Sequence, residues 1–375
     1  MDHEIKSLLG SEKIGVAFTN KAVTPWGGMI LFGGLARQIG LESALRQALP
    51  FHPTSPNATD PVEIALAFMA GVLAGSRRLT HIERLRGDET LRSIFGLKRF
   101  VSDTTLARFF RRFTAGTVAT VFESLRRWQM EQITFEDEIL DLDSSVMERY
   151  GKQEGTLLGY NPKKHRRPSH HPLPATLGRR PWVVHAWLRS GNTSSARGAE
   201  AFLDETLAVL PPQAAIKFLR ADSGFGIEPF LVRVEEKGLR YAISARFTKG
   251  LKNLTAGIGH WRELEPGIAV DEVMFQAQGW SRARRVILVR QRTENKDFVT
   301  YNLVTLLQER MGAKIYRTLG TLRTQLFACG AIMGRSGRRT LLRISLTGPW
   351  RERFLEALGV FFPMEKPDCG AVETG

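Results

Sequence analysis

The middle of the chain, residues 138–246, alternates short apolar runs typical of strands with segments that have helical periodicity. The runs lie at residues 138–143, 182–188, 215–220 and 241–246, and helical segments separate the last three of them. A helix between two strands carries the chain back to the same end of a sheet, so this order favours parallel strands. The sequence therefore predicts an α/β core in this region.

Two aspartates lie at the ends of predicted strands, Asp143 after the first strand and Asp222 after the third. The carboxyl ends of parallel strands meet at one edge of a sheet, which is where open α/β sheets place functional groups. Mg²⁺ prefers oxygen ligands and needs only one or two carboxylates beside water and a substrate phosphate. The two aspartates are therefore candidate metal ligands for displacement at a phosphodiester, although either could instead cap a turn. Asp141 faces the same side as Asp143, as an auxiliary ligand or a hydrogen-bond acceptor.

The charge of the chain is strongly positive and unevenly distributed. Its 53 Lys and Arg residues against 38 Asp and Glu residues give a net charge of +15 and a pI of about 10.2. Residues 136–280 are nearly balanced, with 19 basic and 18 acidic residues, whereas residues 281–375 have 17 basic and 8 acidic ones. A nucleic-acid enzyme needs cations to hold phosphates and acids to hold metal. A basic ribosome-associated protein would show the same excess of cations.

The first 135 residues have the periodicity of helices. Pro61 begins an apolar helix, Gly96 ends a second helical stretch, and Ser102 caps a third one. The basic residues of the third helix are Arg108, Arg111 and Arg112. Two short helices joined by a turn with glycine, the second of them basic, are typical of a helix-turn-helix that binds DNA. A solvated basic face of a helix is the alternative.

Two further groups of cations are candidates for contacts with DNA phosphates. The first group, in the polar loop of residues 151–173, consists of Lys163, Lys164, Arg166 and Arg167. The second group, near the C-terminus, consists of Arg335, Arg338 and Arg339. Contacts of this kind give an affinity that depends on salt and not on base sequence. A solvated surface is again the alternative.

The composition argues against a secreted or membrane-embedded protein. Two cysteines cannot form a disulfide framework or a cysteine-type zinc site. No apolar run approaches the roughly 18 residues of a membrane-spanning helix, and the first residues mix charges too early for a secretory signal. We expect a cytoplasmic, nucleoid-associated protein with no membrane partner.

Several segments of the sequence resemble the DDE transposases of bacterial insertion sequences. The segments with catalytic motifs are LDLDSS (140–145), YGKQEGTLLGYNPKK (150–164), SHHPLPATL (169–177) and LRADSGFG (219–226). Residues 76–112 are similar to the helical N-terminal region of that group, and residues 301–307 and 321–354 resemble its basic C-terminal part. The resemblance covers most of the chain in the same order.

The resemblance implies an α/β fold with a ribonuclease-H-like catalytic core and a small β insertion, preceded by an all-α N-terminal domain. It divides the chain into a helical DNA-binding region (1–135), the first part of the core (136–255), the β insertion (256–292), and the rest of the core with the basic C-terminal region (293–375). It implies two Mg²⁺ ions, with Mn²⁺ as a possible substitute. The implied partners are double-stranded DNA, as terminal inverted repeats and target, and further copies of the chain on that DNA.

In the matching motifs, Asp143 is the first catalytic acid and Asp222 is the second. The family places a third acid, a glutamate, on a helix after the β insertion and before a Tyr-Asn-Leu segment. Here Tyr301 follows Arg290 by only eleven positions, which leaves room for roughly three turns of helix. Glu294, beside Asn295, is the candidate for this third catalytic acid and metal ligand.

Three functional hypotheses are consistent with the sequence. The first is a transposase that cleaves DNA and transfers strands at the ends of an insertion sequence. The second is an internally deleted, catalytically inactive remnant that still binds DNA. The third is a site-specific nuclease of the same fold that performs no strand transfer.

Overall fold

The computed structural model describes residues 3–6, 13–16, 19–53, 55–136, 138–151, 153–161, 165–178, 180, 182–246, 248–265, 268–291, 319–336, 339–345 and 349–361. The chain forms two compact units, Met1–Ser124 with Leu307–Gly375 and Leu125–Leu306. Within the described ranges, none of the helices combines the length and the apolar character that a membrane crossing requires.

The N-terminal part of the first unit is rich in helices but is not all-α. It contains the strands β1 (His3–Lys6), β2 (Lys13–Val16) and β3 (Ala22–Thr24), and β1 pairs with β2 in antiparallel fashion. The helices are α1 (Ile30–Gln38), α2 (Leu41–Ala48), α3 (Pro61–Leu73), α4 (Leu79–Glu83), α5 (Glu89–Ile94), α6 (Asp103–Phe110) and α7 (Ala115–Met130). The three strands depart from the all-α region that the sequence predicts.

The helix boundaries of this unit follow from local capping. Pro61 is the first residue of α3, and Ser102 accepts a hydrogen bond from the backbone N–H of Thr105 at the start of α6, as predicted. The helical stretch predicted before Gly96 is interrupted in the structure. Asp88 ends it and starts α5, because its Oδ1 accepts from Leu91 N at 2.7 Å.

The second unit contains eleven strands among its described residues. They are β4 (Glu138–Leu142), β5 (Met147–Glu148), β6 (Leu157–Leu158), β7 (Pro168–His170), β8 (Leu173–Leu177), β9 (Trp182–Trp187), β10 (Ile216–Ala221), β11 (Arg240–Ile243), β12 (Arg262–Glu265), β13 (Ile268–Phe275) and β14 (Arg284–Gln291). Its helices include α8 (Ala199–Val209), α9 (Glu228–Glu236) and α10 (Lys249–Ala256). The strands and helices predicted for residues 138–246 are present in the predicted order, and β8 is a further strand of the central sheet between the first two of them. The polar loop after β4, however, also forms three short strands.

A five-stranded sheet forms the centre of the second unit, in the order β11-β10-β4-β8-β9. Strands β11, β10 and β4 are parallel, whereas β8 is antiparallel to both β4 and β9. Buried and half-buried residues alternate along β4 and β8, as expected for strands that pack unequally on their two faces. Helices α8 and α9 connect β9 to β10 and β10 to β11, which makes the last two connections parallel crossovers.

Residues 262–291 form a separate antiparallel sheet of β12, β13 and β14. Its buried residues Val286 and Leu288 pack with Leu251 of α10. Arg284 joins this sheet to α9, since its guanidinium donates to Glu228 at 2.6 Å and to Glu235 at 2.8 Å. These bonds lower the pKa of both carboxyl groups to about 2.

The C-terminal segments complete the first unit. They are α11 (Leu319–Leu322), a π-helical turn (Arg323–Phe327), β15 (Gly330–Ser336), β16 (Arg339–Ser345) and α12 (Pro349–Phe361). Strand β15 pairs with both β16 and β3, so the N-terminal and C-terminal parts share one sheet. Only a glycine fits at position 28, because a Cβ there would lie 1.8 Å from the carbonyl oxygen of Leu326.

Candidate active site

The structure brings Asp143 and Asp222 together at one edge of the five-stranded sheet. Strands β4 and β10 are parallel neighbours, and Leu142 stands opposite Ala221 at their carboxyl ends. Each aspartate is the next residue after its strand, so the two begin at the same level on strands about 4.8 Å apart.

Each aspartate also accepts a hydrogen bond from the backbone that follows it, and Asp222 caps the 3-10 turn Ser223–Phe225. Asp143 Oδ1 accepts a hydrogen bond from Ser144 N at 2.7 Å, and Asp222 Oδ1 accepts from Gly224 N at 2.8 Å. Within the described part of the chain, neither Oδ2 atom has a hydrogen-bond partner. The backbone hydrogen bond therefore fixes one oxygen of each carboxylate and leaves the other available to a ligand.

The electrostatic environment of Asp143 disfavours its charged form. Partial desolvation raises the pKa of this carboxyl above its ordinary value, and the negative charges of Asp222 and Asp141 add to the effect. The N–H of Ser144 and the imidazole of His171 act in the opposite direction. A cation placed between the carboxylates would offset their mutual repulsion.

Asp141, on β4 two residues before Asp143, is held by an ion pair with Arg220. The guanidinium of Arg220 donates from Nε to Asp141 Oδ1 at 2.6 Å and from Nη2 to Oδ2 at 2.5 Å. The two residues stand opposite each other on β4 and β10. Gly178 leaves room for the pair, because a Cβ there would lie 2.6 Å from Arg220 Nη2. Of the two roles predicted for Asp141, the structure has it as a hydrogen-bond acceptor.

A loop after β9 lies against the segments that follow Asp143 and Asp222. Ser195 Oγ is 2.6 Å from Ser144 Oγ, and a Cβ at Gly224 would lie 2.6 Å from Ser195 Cβ. The loop is held by Arg189, whose Nη1 donates to the carbonyl oxygens of Ser194, Ser195 and Arg197 at 2.9–3.2 Å. Burial lowers the pKa of this guanidinium.

The loop also fixes His171, the neighbour of Asp143. Its imidazole Nδ1 is 2.5 Å from the carbonyl oxygen of Thr193, and its backbone N–H donates to Arg189 O at 2.8 Å. The preceding His170 is buried and is bonded on both ring nitrogens, to Arg149 Nε at 3.1 Å and to Glu154 O at 2.9 Å. Since the guanidinium only donates, Nδ1 of His170 accepts and Nε2 carries the proton.

The donor set suits a divalent cation only in part. Two carboxylates on adjacent strand ends, each with an oxygen that has no partner among the described residues, are sufficient for Mg²⁺ when water and substrate supply the remaining ligands. Among the residues that the structure describes, no group of three or more His, Cys, Asp or Glu residues is arranged to hold a metal. Glu294, the predicted third acid, lies outside the described residues.

The predicted DNA-contacting residues fall into three groups. Arg108 is exposed on α6, and Arg111 and Arg112 are exposed just after it; the guanidinium of Arg112 lies 4.2 Å from the ring centre of Phe51. In the loop after β4, Arg166 and Arg167 are exposed, whereas Lys163 and Lys164 lie outside the described residues. Near the C-terminus Arg335 belongs to β15 and Arg339 to β16, and Arg338 lies outside the described residues.

Sequence reasoning missed the residues that support the two aspartates. Arg189 and Ser195 lie outside the motif segments. Gly224 and Arg220 belong to LRADSGFG, but they acquire their supporting roles only in the folded chain, where Gly224 packs on Ser195 and β4 pairs with β10. One signal was present: the run SGNTSSARG after the apolar strand of residues 182–188 is polar and flexible in composition, as in loops that carry function.

Comparisons with known proteins identify the family of the chain. The model of the family described as "Transposase DDE domain group 1" matches residues 6–319. Among solved structures, the chain is similar to a piggyBac transposase synaptic complex with hairpin DNA, determined by cryo-EM. That similarity has 12% sequence identity and a TM-score of 0.38, and it covers 92% of this chain and 75% of the other. No curated protein sequence matches the chain.

Proposed function

This chain belongs to the transposase family "DDE domain group 1", and on that premise we propose that it cleaves DNA and transfers strands at the ends of an insertion sequence. The observation that carries the proposal is the pairing of β4 with β10, which sets Asp143 and Asp222 side by side at the carboxyl edge of the sheet. Open α/β sheets bind ligands at the carboxyl ends of their strands, so a carboxylate pair at this edge fits phosphodiester chemistry.

In this proposal Asp143 and Asp222 hold two Mg²⁺ ions, for which Mn²⁺ can substitute, and Glu294 is the third ligand. When bound, such ions supply charge stabilisation and Lewis acidity for in-line displacement at phosphorus. The residues of the chain fix the carboxylates: the N–H groups of Ser144 and Gly224 each hold one oxygen. Arg220 engages both oxygens of Asp141 and so keeps that carboxylate out of the ligand set.

We further propose that the second unit is a ribonuclease-H-like core with a β insertion at residues 256–292. Support comes from a sheet with three antiparallel strands in sequence followed by two parallel ones, and from the separate sheet of β12–β14. The remaining predicted regions are residues 1–135 for DNA binding and residues 293–375 for the rest of the core with the basic C-terminal region. Of the latter, Leu307–Gly375 belongs to the first compact unit.

The proposed partner is double-stranded DNA, both as terminal inverted repeats and as target, with self-association of the chain on that DNA. We assign phosphate contacts to the three predicted groups of cations. The clearest support comes from α6 and the residues after it, since Arg108 and Arg111 are exposed and neither forms an ion pair among the described residues.

A cleavage assay with purified protein tests the function. DNA that carries both ends of the element is incubated with Mg²⁺, and we expect nicked or excised products and joined strand-transfer products. Asp143→Asn abolishes these products but leaves DNA affinity within about twofold, because the change removes a metal-ligand charge without changing side-chain size. Asp271→Asn, at a half-buried site on β13, is the matched control and retains activity. Equal loss of DNA binding in Asp143→Asn would show a structural role instead.

The eleven-residue spacing between Arg290 and Tyr301 favours a second candidate, the inactive DNA-binding remnant. Glu294→Gln distinguishes the candidates in the same assay. Cleavage that disappears in this variant establishes Glu294 as the third acid, whereas specific end binding without any cleavage by the unaltered chain establishes the remnant. Cleavage without joined products would identify a nuclease that performs no strand transfer.

A further inference from the structure

A small sheet next to the active site exposes several large apolar side chains. Strand β7 lies between β5 and β6 in this sheet, and Met147, Leu158 and the flanking Tyr150 and Tyr160 are 46%, 61%, 60% and 76% exposed. Single exposed apolar residues are common in soluble proteins, but a group of them within one small element marks an interaction site.

The pairing register places part of this group on one face. Met147 stands opposite His170 and Leu158 opposite Pro168, two residues apart on β7, so both side chains point to the same side. Arg149 joins them, since its N–H donates to Pro168 O at 2.9 Å and its guanidinium Nη2 lies 3.7 Å from Met147 Sδ. Tyr160 follows Leu158 by two residues.

Arginine side chains are interleaved with these apolar groups. Arg149 Nε donates to His170 Nδ1 at 3.1 Å, which anchors the guanidinium beside Met147. Arg167 is exposed, and its guanidinium carbon lies 4.9 Å from the ring centre of Tyr150. Together Met147, Arg149, Tyr150, Leu158, Tyr160 and Arg167 form an aromatic–basic surface.

The backbone that carries this surface is held in place. A Cβ at Gly159 would lie 1.9 Å from the carbonyl oxygen of Gly191, so the segment between Leu158 and Tyr160 packs directly on the loop after β9. Ser169, at the centre of the sheet, is fully buried. The exposed side chains are therefore presented by a fixed support.

The surface also lies close to the catalytic edge. Met147 follows Asp143 by four residues, and four residues of extended chain reach at most about 14 Å. At a rise of about 3.4 Å per nucleotide, Met147 therefore lies within about four nucleotides of a phosphate at the aspartates.

We propose that the aromatic–basic surface binds unpaired nucleotides of a DNA strand next to the scissile phosphate. This inference rests on the proposed function of the chain. In a duplex the faces of the bases are covered by their neighbours, so exposed aromatic rings gain base-stacking contacts only from unpaired bases. Stacking tolerates any base sequence, and the cations Arg149 and Arg167 complement the phosphates between the bases. The surface thus selects the frayed or single-stranded form of the DNA end.

Equilibrium binding tests the proposal without any need for catalysis. Fluorescence anisotropy in EDTA compares a blunt duplex with the same duplex carrying a four-nucleotide single-stranded extension. We expect the unaltered chain to bind the extended DNA about tenfold more tightly. Tyr160→Ala removes most of this preference and leaves the affinity for the blunt duplex within about twofold, whereas Tyr160→Phe retains the preference.

The controls separate this inference from a general surface effect and from the proposed function. Phe122→Ala removes another exposed aromatic ring, 56% exposed on α7 against 76% for Tyr160, and should change neither affinity. Tyr160 is so exposed that its truncation leaves the fold intact, which a thermal melt verifies. Equal affinity of the unaltered chain for both DNAs overturns this inference alone. Absence of all DNA binding overturns the proposed function as well, and altered self-association in Tyr160→Ala would show that a second copy occupies the surface.

Discussion

At the scale of single residues, the backbone hydrogen bonds to Asp143 and Asp222 each leave one carboxylate oxygen available for the proposed ligand role. In each case one carboxylate oxygen accepts a hydrogen bond from a backbone N–H of the following residues, and that bond fixes the orientation of the carboxylate. The other oxygen has no partner among the described residues. The sequence alone presents the two roles as alternatives, because it gives no view of individual oxygen atoms.

The ion pair of Asp141 and Arg220 yields a prediction for stability. Its bidentate geometry and the enclosure by Gly178 should give a coupling energy of about 1 kcal/mol in a double-mutant cycle with Asp141→Asn and Arg220→Met. Urea denaturation is the suitable measurement, because an ionic denaturant would screen the pair.

The pair of Glu272 and Arg285 is the matched control, since it joins opposite charges across neighbouring strands but is more exposed. A cycle at this pair should give no measurable coupling. Gly178→Ala should destabilise the protein by itself, because the new methyl group meets the Arg220 guanidinium. A zero coupling for Asp141 and Arg220 would mean that solvent screens this pair as well.

At the scale of elements, the sequence predicts those helices and strands whose boundaries depend on nearby residues. The alternation in residues 138–143, Pro61 at the first position of α3 and Ser102 at the cap of α6 all define elements within a few residues of themselves. The strand-end positions of both aspartates followed from the same periodicity, and the parallel order of β4 and β10 brought them together.

Elements that depend on distant partners could not be predicted in this way. Strand β3 has three residues, and its pairing partner β15 begins roughly 300 residues later in the chain. Asp88 breaks the predicted helical stretch through its local cap, and it is also bonded to a distant residue, because Thr24 Oγ1 donates to its Oδ2 at 2.5 Å. Neither contact leaves a periodic signal in the sequence, so the N-terminal region appeared purely helical.

The basic end of α6 gives a prediction for DNA binding. If Arg108 and Arg111 contact phosphates, replacing both with Gln lowers the affinity for any duplex and makes its dependence on salt shallower. The slope of log K against log salt should change by about 2, since each phosphate contact contributes about 0.9. Arg112 is left intact, because its guanidinium packs over the Phe51 ring and its loss would affect stability.

Arg285→Gln is the control for this measurement, as it removes a cation that Glu272 already neutralises. The control should leave the slope unchanged. A slope that stays constant in the Arg108 and Arg111 double variant would identify these residues as a solvated helix face, which is the alternative that the sequence left open.

At the scale of the whole molecule, the first compact unit is formed by two separate stretches of the chain, whereas the second unit is one continuous stretch. The first combines the N-terminal segments with the C-terminal ones, and the second holds both site aspartates and the small sheet beside them. The charge follows a similar division, because the excess of cations is concentrated outside residues 136–280. The net positive charge therefore lies mainly in the two ends of the chain, outside the region that holds the site aspartates.

Iron-directed cleavage of the polypeptide tests most directly whether Asp143 and Asp222 form one divalent-cation site. Fe²⁺ replaces Mg²⁺ at oxygen-ligand sites, and with ascorbate and peroxide it produces radicals that cut the backbone close to the ion. We predict cuts next to residues 143 and 222 that excess Mg²⁺ suppresses and that both Asp143→Asn and Asp222→Asn eliminate. Cuts that persist in both variants, or that occur only in other parts of the chain, would contradict the metal site.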